Sequence, residues 1–230
     1  MYKIHSEIVT PKRDTIIWRY LSLEKFLSLL NDKQLYFTRQ DLFLDSEEAK
    51  MSTKDKQLFD KVVPGISEVM ENDKFGCGFI NCWVISNVEL YLMWNTYSSL
   101  DKGLAIKTTI GNLIDSLDPC DDREVFISDV NYIDYYHDYT FDKTDGIANC
   151  LARYFCKRKY FLQERELRLV YYDYKATIDG DNVGQKFDVS INTLLDEVWI
   201  APNAKGWYEN LIKDEMQLHG INKPVKRSCI

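Results

Sequence analysis

The chain has 230 residues, a formal net charge of −7, 45% hydrophobic and 28% charged residues, which is the make-up of a folded globular protein and not of a disordered one. The acidic balance argues against a sequence-independent grip on duplex nucleic acid, which needs a basic excess. No apolar run nears the roughly 20 residues of a membrane span, and the opening MYKIHSEIVTPKRD has no apolar core like that of a signal peptide, so a cytoplasmic protein without a membrane partner is expected.

The elements follow in chain order. IIWRY (16–20) is a short apolar and aromatic strand. Ser22 opens a helix whose Phe26, Leu27, Leu29 and Leu30 repeat at helical spacing, ending at Asn31-Asp32. LYFT (35–38) is a second strand, RQDLFLDSEEA a loop, and 46–62 a charged helix broken by Pro64-Gly65. A short helix over 66–72 precedes FINCWVIS (79–86), a continuous apolar run suited to a buried strand. Residues 90–99 have helical spacing at Leu90, Met93, Trp94 and Tyr97; 102–109 is a strand, 110–118 a helix and 124–133 a strand. A long helix is expected within 141–161, a strong strand over 166–174 and another over 185–191. A strand over 197–204 and a last helix over 205–217 complete the pattern. Strands and helices without regular β-α-β alternation predict a single α+β domain over 1–230. Its central sheet should be mixed, mainly antiparallel, continuous or split, and flanked by helices.

The six cysteines include no C-x-x-C pair and the three histidines are scattered. Reduced thiols and no metal are expected. Phosphate-loop, dinucleotide-fold and nucleophile-elbow patterns are absent.

Several quoted segments carry a resemblance. WRYLSLEKFLSLLNDKQLYFTRQDLF (18–43), the acidic loop Leu44-Asp45-Ser46-Glu47-Glu48, MWNTYSSLDKGLAIKT (93–108), KYFLQERELRLV (159–170) and IAPNA (200–204) together resemble the bacterial domain-of-unknown-function 2971 family. Asp45 and a later acid match that family's Asn-Asp-Pro-x-Glu loop; the Asn and Pro do not. The likeness covers most of 16–204, with 205–230 as a C-terminal helix and tail. The family's layout is similar to ADP-ribosyltransferase folds, shared by bacterial toxins and phage-defence effectors. The resemblance therefore implies NAD as substrate and an unknown protein or nucleic-acid acceptor.

Cleaving the ribose–nicotinamide bond of NAD passes through an oxocarbenium-like state. It calls for a carboxylate at the ribose, a cation at the pyrophosphate and an aromatic wall. In a strand, Glu164, Glu166 and Arg168 face one way while Leu167 and Leu169 face the core. By resemblance Glu166 is the ribose-binding carboxylate, and Glu164 could orient an acceptor. The alternative is an ion-paired strand edge, with Arg168 as partner. Arg19, between Trp18 and Tyr20, is a candidate for the phosphates, with Arg39 a second, and Tyr20 and Arg168 are counted with them as candidate NAD-binding residues. Trp94 and Tyr97 share a helix face as a candidate ring wall, core packing being the alternative for Trp94.

Arg153, Lys157, Arg158, Lys159, Arg165 and Arg168 form a basic stretch read as a solvated helix face or as a binding strip for RNA or single-stranded DNA. Three functions follow: an NAD-consuming transferase or glycohydrolase, a nucleic-acid-binding or RNA-processing defence protein, and a non-catalytic interaction or sensor domain.

Overall fold

The structure, a computed structural model, describes residues 2–4, 8–71, 76–140, 151–178 and 180–230. Its first half runs β1 (Ile16–Ser22), α1 (Leu23–Asp32), β2 (Gln34–Arg39), α2 (Thr53–Val62), α3 (Ile66–Glu71), β3 (Cys77–Ile85), α4 (Tyr91–Tyr97), β4 (Gly103–Thr109) and α5 (Ile110–Ser116). The second half runs β5 (Val125–Asp129), β6 (Asn131–Ile133), β7 (Cys156–Arg158), β8 (Glu166–Asp173), β9 (Gly184–Asp188), α6 (Ile191–Leu194), β10 (Glu197–Ile200), α7 (Gly206–Leu218) and β11 (Val225–Arg227).

Nine strands form one open α+β sheet, antiparallel at every ladder except β10–β11. β6 and β7 make a separate parallel pair. The centre of the sheet is β3, whose CGFINCWVI is buried along nearly its whole length. One edge of β3 pairs with β8 from Cys77↔Asp173 to Val84↔Glu166. The other edge is shared: β2 takes its first half (Arg39↔Phe79, Thr38↔Ile80) and β1 its last residues (Trp18↔Val84, Ile17↔Ile85). Between these two ladders β1 and β2 part, so the sheet is split beside Asn81, Cys82 and Trp83. α1 joins the two diverging strands and buries Phe26, Leu29 and Leu30 against the main core.

Both faces of the sheet are covered. Leu167 and Leu169 of β8 belong to the main core, while Val170 packs with Ile8, Ala49, Ile80, Tyr154 and Phe155 in a second cluster on the opposite face. Alternation therefore turns Glu166 and Arg168 toward that second face. Gly103 opens β4 because a Cβ there would meet the backbone nitrogen of Ser99 at 2.7 Å; the glycine serves a close approach and not a loose turn.

Several expectations are corrected. The charged helix starts at Thr53, after Ser52 and Asp55 form a capping box, and residues 44–50 are turns. The expected strand over 124–133 is two strands in different sheets, β5 and β6. The long helix placed within 141–161 falls partly outside the described residues; from Ala152 to Glu164 the chain makes two 3-10 turns around β7. Ser22 sits at the start of α1 but its side chain makes no capping bond.

Candidate functional site

The split in the sheet opens into a cleft of about 620 Å³, within the range of pockets that enclose small ligands and cofactors. β1 contributes Arg19 and Tyr20, β2 Tyr36, β3 Asn81, Cys82 and Trp83, and α4 Met93 and Tyr97; Phe43 and Glu166 complete the wall. Asn81 anchors the floor: its amide donates to the Tyr36 carbonyl at 2.8 Å and accepts from the Trp83 indole at 2.8 Å.

Arg19 is one of three cations lining this cleft, with Lys25 and Lys186. Its guanidinium lies over the Trp83 ring, 5.6 Å from the centroid, and among the described residues no carboxylate or carbonyl accepts from it. Burial lowers its pKa to about 10, with a small opposing effect from Cys82. Arg19 is partly buried in the cleft wall, and an anion bound in the cleft would offset the cost of its desolvation. Tyr20, beside it, is buried; its hydroxyl accepts the Leu90 N–H at 2.8 Å, and burial raises its pKa to about 12.

At the other wall stands a closed cluster of charges. Lys157 Nζ contacts Glu48 Oε1 at 3.1 Å, Glu164 Oε2 at 2.6 Å and Glu166 Oε1 at 2.9 Å. Arg168 donates from Nε to Glu166 Oε2 at 2.7 Å, from Nη2 to Glu48 Oε2 at 2.7 Å and from Nη1 to the Tyr154 carbonyl at 2.9 Å. The Phe161 ring lies 4.7 Å from Lys157 Nζ. Burial works against charge on Glu166, yet Arg168 and Lys157 outweigh it and hold this carboxyl well below the usual glutamate range. Burial raises the Glu164 carboxyl, Lys157 offsets only part of this, and the neighbouring Glu166 adds to it. Burial also pushes the Cys82 thiol up to about 12, which leaves it a protonated wall group and a poor nucleophile.

The predicted site residues thus fall into two groups. Arg19, Tyr20, Tyr97 and Glu166 meet in one cleft. Glu164 joins through Lys157, although it does not belong to the strand: Arg165, at φ 46°, ends a 3-10 turn between Glu164 and β8. Trp94 is fully buried, edge-on to Tyr20 at 5.0 Å, with its indole donating to Glu89 at 3.0 Å. It is a core ring and not the partner of Tyr97 in a wall; Trp83 supplies that surface instead. Arg39 is engaged by Asp41 at 2.6 Å and by the carbonyls of Gly180 and Asn182, and it does not line the cleft. Arg168 is fully buried among protein groups and offers nothing to a ligand.

Two environments expected from the sequence are also corrected. β8 is no sheet edge, since β3 and β5 pair with it on both sides. The basic stretch is not one continuous exposed strip: Lys157 is buried in the cluster, Arg158 pairs with Asp45 at 2.6 Å, Lys159, exposed, with Asp138 at 2.8 Å, Arg153 is buried with Nη2 on the Tyr154 hydroxyl at 2.8 Å, and Arg165 is exposed. The sequence reading missed Lys157 and Glu48 as site groups. Three acids within reach of two buried cations can be found only after the fold brings residue 48 beside residues 157 and 168.

A shallower hollow of about 440 Å³ lies beyond the start of β8, lined by Asn87, Asp129, Tyr132, Arg165 and Glu166. Among the described residues no group of His, Cys, Asp or Glu is arranged to hold a metal ion. No helix there is long and apolar enough to cross a membrane. No protein-family model and no curated protein matches the chain, so the family resemblance rests on the quoted motifs alone.

Proposed function

We propose that the chain is an NAD-consuming enzyme: an ADP-ribosyltransferase or, with water as acceptor, an NAD glycohydrolase. One observation carries the reading. Arg19 lines the same cleft as Glu166 without an anionic partner of its own, so the cleft has a vacant anion position at one wall and a fixed negative charge at another. A pyrophosphate suits the first through paired, charge-assisted hydrogen bonds. The second suits a ribose whose C1 gains positive charge. Trp83, Tyr36 and Tyr97 offer ring faces for a planar base between them. Glu166 has a low pKa, which keeps it ionised across the neutral range, as that role requires. Modification of a protein or nucleic acid by a toxin or phage-defence effector is the setting the resemblance suggests.

A second reading is a nucleotide sensor without turnover. It is favoured by the engagement of both Glu166 oxygens, one by Lys157 and one by Arg168, which leaves the carboxylate less free to change partners during a reaction. The nucleic-acid reading has fewer free cations to draw on, since Lys157, Arg158, Lys159 and Arg168 are paired with Glu48, Glu164, Glu166, Asp45 and Asp138.

Incubation of the purified protein with NAD, with and without cell extract, separates the first two. Nicotinamide release that disappears in Glu166→Gln and Arg19→Gln supports the enzyme. Saturable NAD binding with no release under any condition supports the sensor.

A further inference from the structure

Glu48, Glu164 and Glu166 face Lys157 and Arg168 in one compartment, every side chain at most 11% exposed. With all five ionised, three negative charges meet two positive ones. An uncompensated charge at such burial is strongly disfavoured, and a group so placed takes up a proton instead. The ammonium of Lys157 has three N–H bonds, and it directs them at three carboxylates, two of them only two residues apart.

We propose that Lys157 is a positioning residue that gathers Glu164 and Glu166 into a pair sharing one proton, and that this pair exchanges the proton with the cleft that Glu166 lines. This deepens the NAD-consuming reading and rests on it. Glu166 itself lines the cleft and brings the pair to it.

The chemistry gives the pair a task. When an acceptor hydroxyl or water attacks C1 of the ribose, a C–O bond forms and the C–N bond breaks, its electron pair leaving with neutral nicotinamide. The attacking O–H must lose its proton. Once the pair has released its shared proton to the cleft, Glu164 is ionised and takes the attacker's proton, and this relay completes the step. Glu166 stays ionised against Arg168 and Lys157 throughout. The groups that set the Glu164 equilibrium come from every neighbouring element: Lys157 of β7, Glu166 and Arg168 of β8, Glu48 of the 44–50 turns, Tyr97 of α4 and Tyr132 of β6.

Charge counting supplies a test that does not need activity. The folded full chain should show, by infrared difference spectroscopy with ¹³C-labelled glutamate, one carboxyl that keeps its proton above the ordinary glutamate range. Glu164→Gln removes that signal. Glu166→Gln must remove it too, because Glu164 then ionises to balance Lys157 and Arg168. Lys157→Met strengthens it, toward two carboxyls. If the signal survives Glu166→Gln unchanged, the proton is not shared and the proposal fails, whatever the protein does with NAD. If nicotinamide is released, its pH profile should carry an acid limb that disappears in Glu164→Gln with at least a tenfold loss of rate. An acid limb unchanged in that variant also overturns the relay. Absence of NAD turnover alongside the shared-proton signal contradicts the function and the relay, and leaves the pair itself standing.

Discussion

The Nζ of Lys157 lies 2.6 Å from Oε2 of Glu164, and this short contact closes a network running from the turns after β2 to the interior strand β8. Each cation in the network answers more than one acid, so its members differ sharply in what their removal costs. Lys157→Met leaves three buried carboxylates facing Arg168 alone. Loss of one partner from a buried ion cluster costs about 3–5 kcal/mol. Urea denaturation should show that loss for Lys157→Met, and a clearly smaller one for Glu166→Gln, where Glu164 ionises in its place. Equal losses would contradict the compensation.

The two glutamates should shape acid stability in opposite directions. The folded-state pKa of Glu166 is depressed to about 2 from 4.5. Its contribution is therefore present above pH 4.5 and fades as pH falls toward 2. Glu164 is raised in the folded state, so its contribution is full below 4.5 and is lost as pH rises through its folded value. Stability measured from pH 2 to 7 should climb less steeply below 4.5 in Glu166→Gln. In Glu164→Gln the loss on the way up from 4.5 should vanish.

Arg19 behaves differently because it holds nothing together. Arg19→Gln should leave the denaturation midpoint unchanged or slightly higher, since it removes a desolvated cation without an anionic partner. NAD or ADP-ribose binding, followed by calorimetry, should weaken about 10- to 100-fold, the worth of a charge-assisted hydrogen bond. A fall in stability with binding unchanged would make Arg19 a structural residue.

Gly78 links the core to the cluster. A Cβ there would meet the Tyr154 ring at 2.5 Å, and the Tyr154 carbonyl accepts from Arg168. Gly78→Ala should cost about 1–3 kcal/mol, as overpacking does. It should also perturb the carboxyl signal of Glu164 and Glu166, which a purely local clash would leave alone.

Much of this architecture was legible in the residues. The apolar run 79–86 marked the central strand, and the spacing of Phe26, Leu29 and Leu30 marked α1. Arg19 between two aromatics and the Glu-x-Glu-x-Arg segment drew attention to the groups that the fold brings to one cleft and its wall. What failed did so for physical reasons. Lys157 read as one of several surface cations because its carboxylate partners lie in three separate segments, at residues 48, 164 and 166. Trp94 and Tyr97 were paired by helical spacing, but the helix packs on Tyr20 and turns Trp94 inward. Glu164 was assigned to the strand because period-two alternation runs through it; the left-handed Arg165 breaks that alternation one residue later.

The most direct measurement is the release of nicotinamide from NAD by the purified protein, with calorimetric binding recorded in parallel for wild type, Arg19→Gln and Glu166→Gln. The account predicts binding weakened about 10- to 100-fold in Arg19→Gln, and release present in wild type and lost in Glu166→Gln. A folded wild-type protein that neither binds nor cleaves NAD, with or without cell extract, would contradict it.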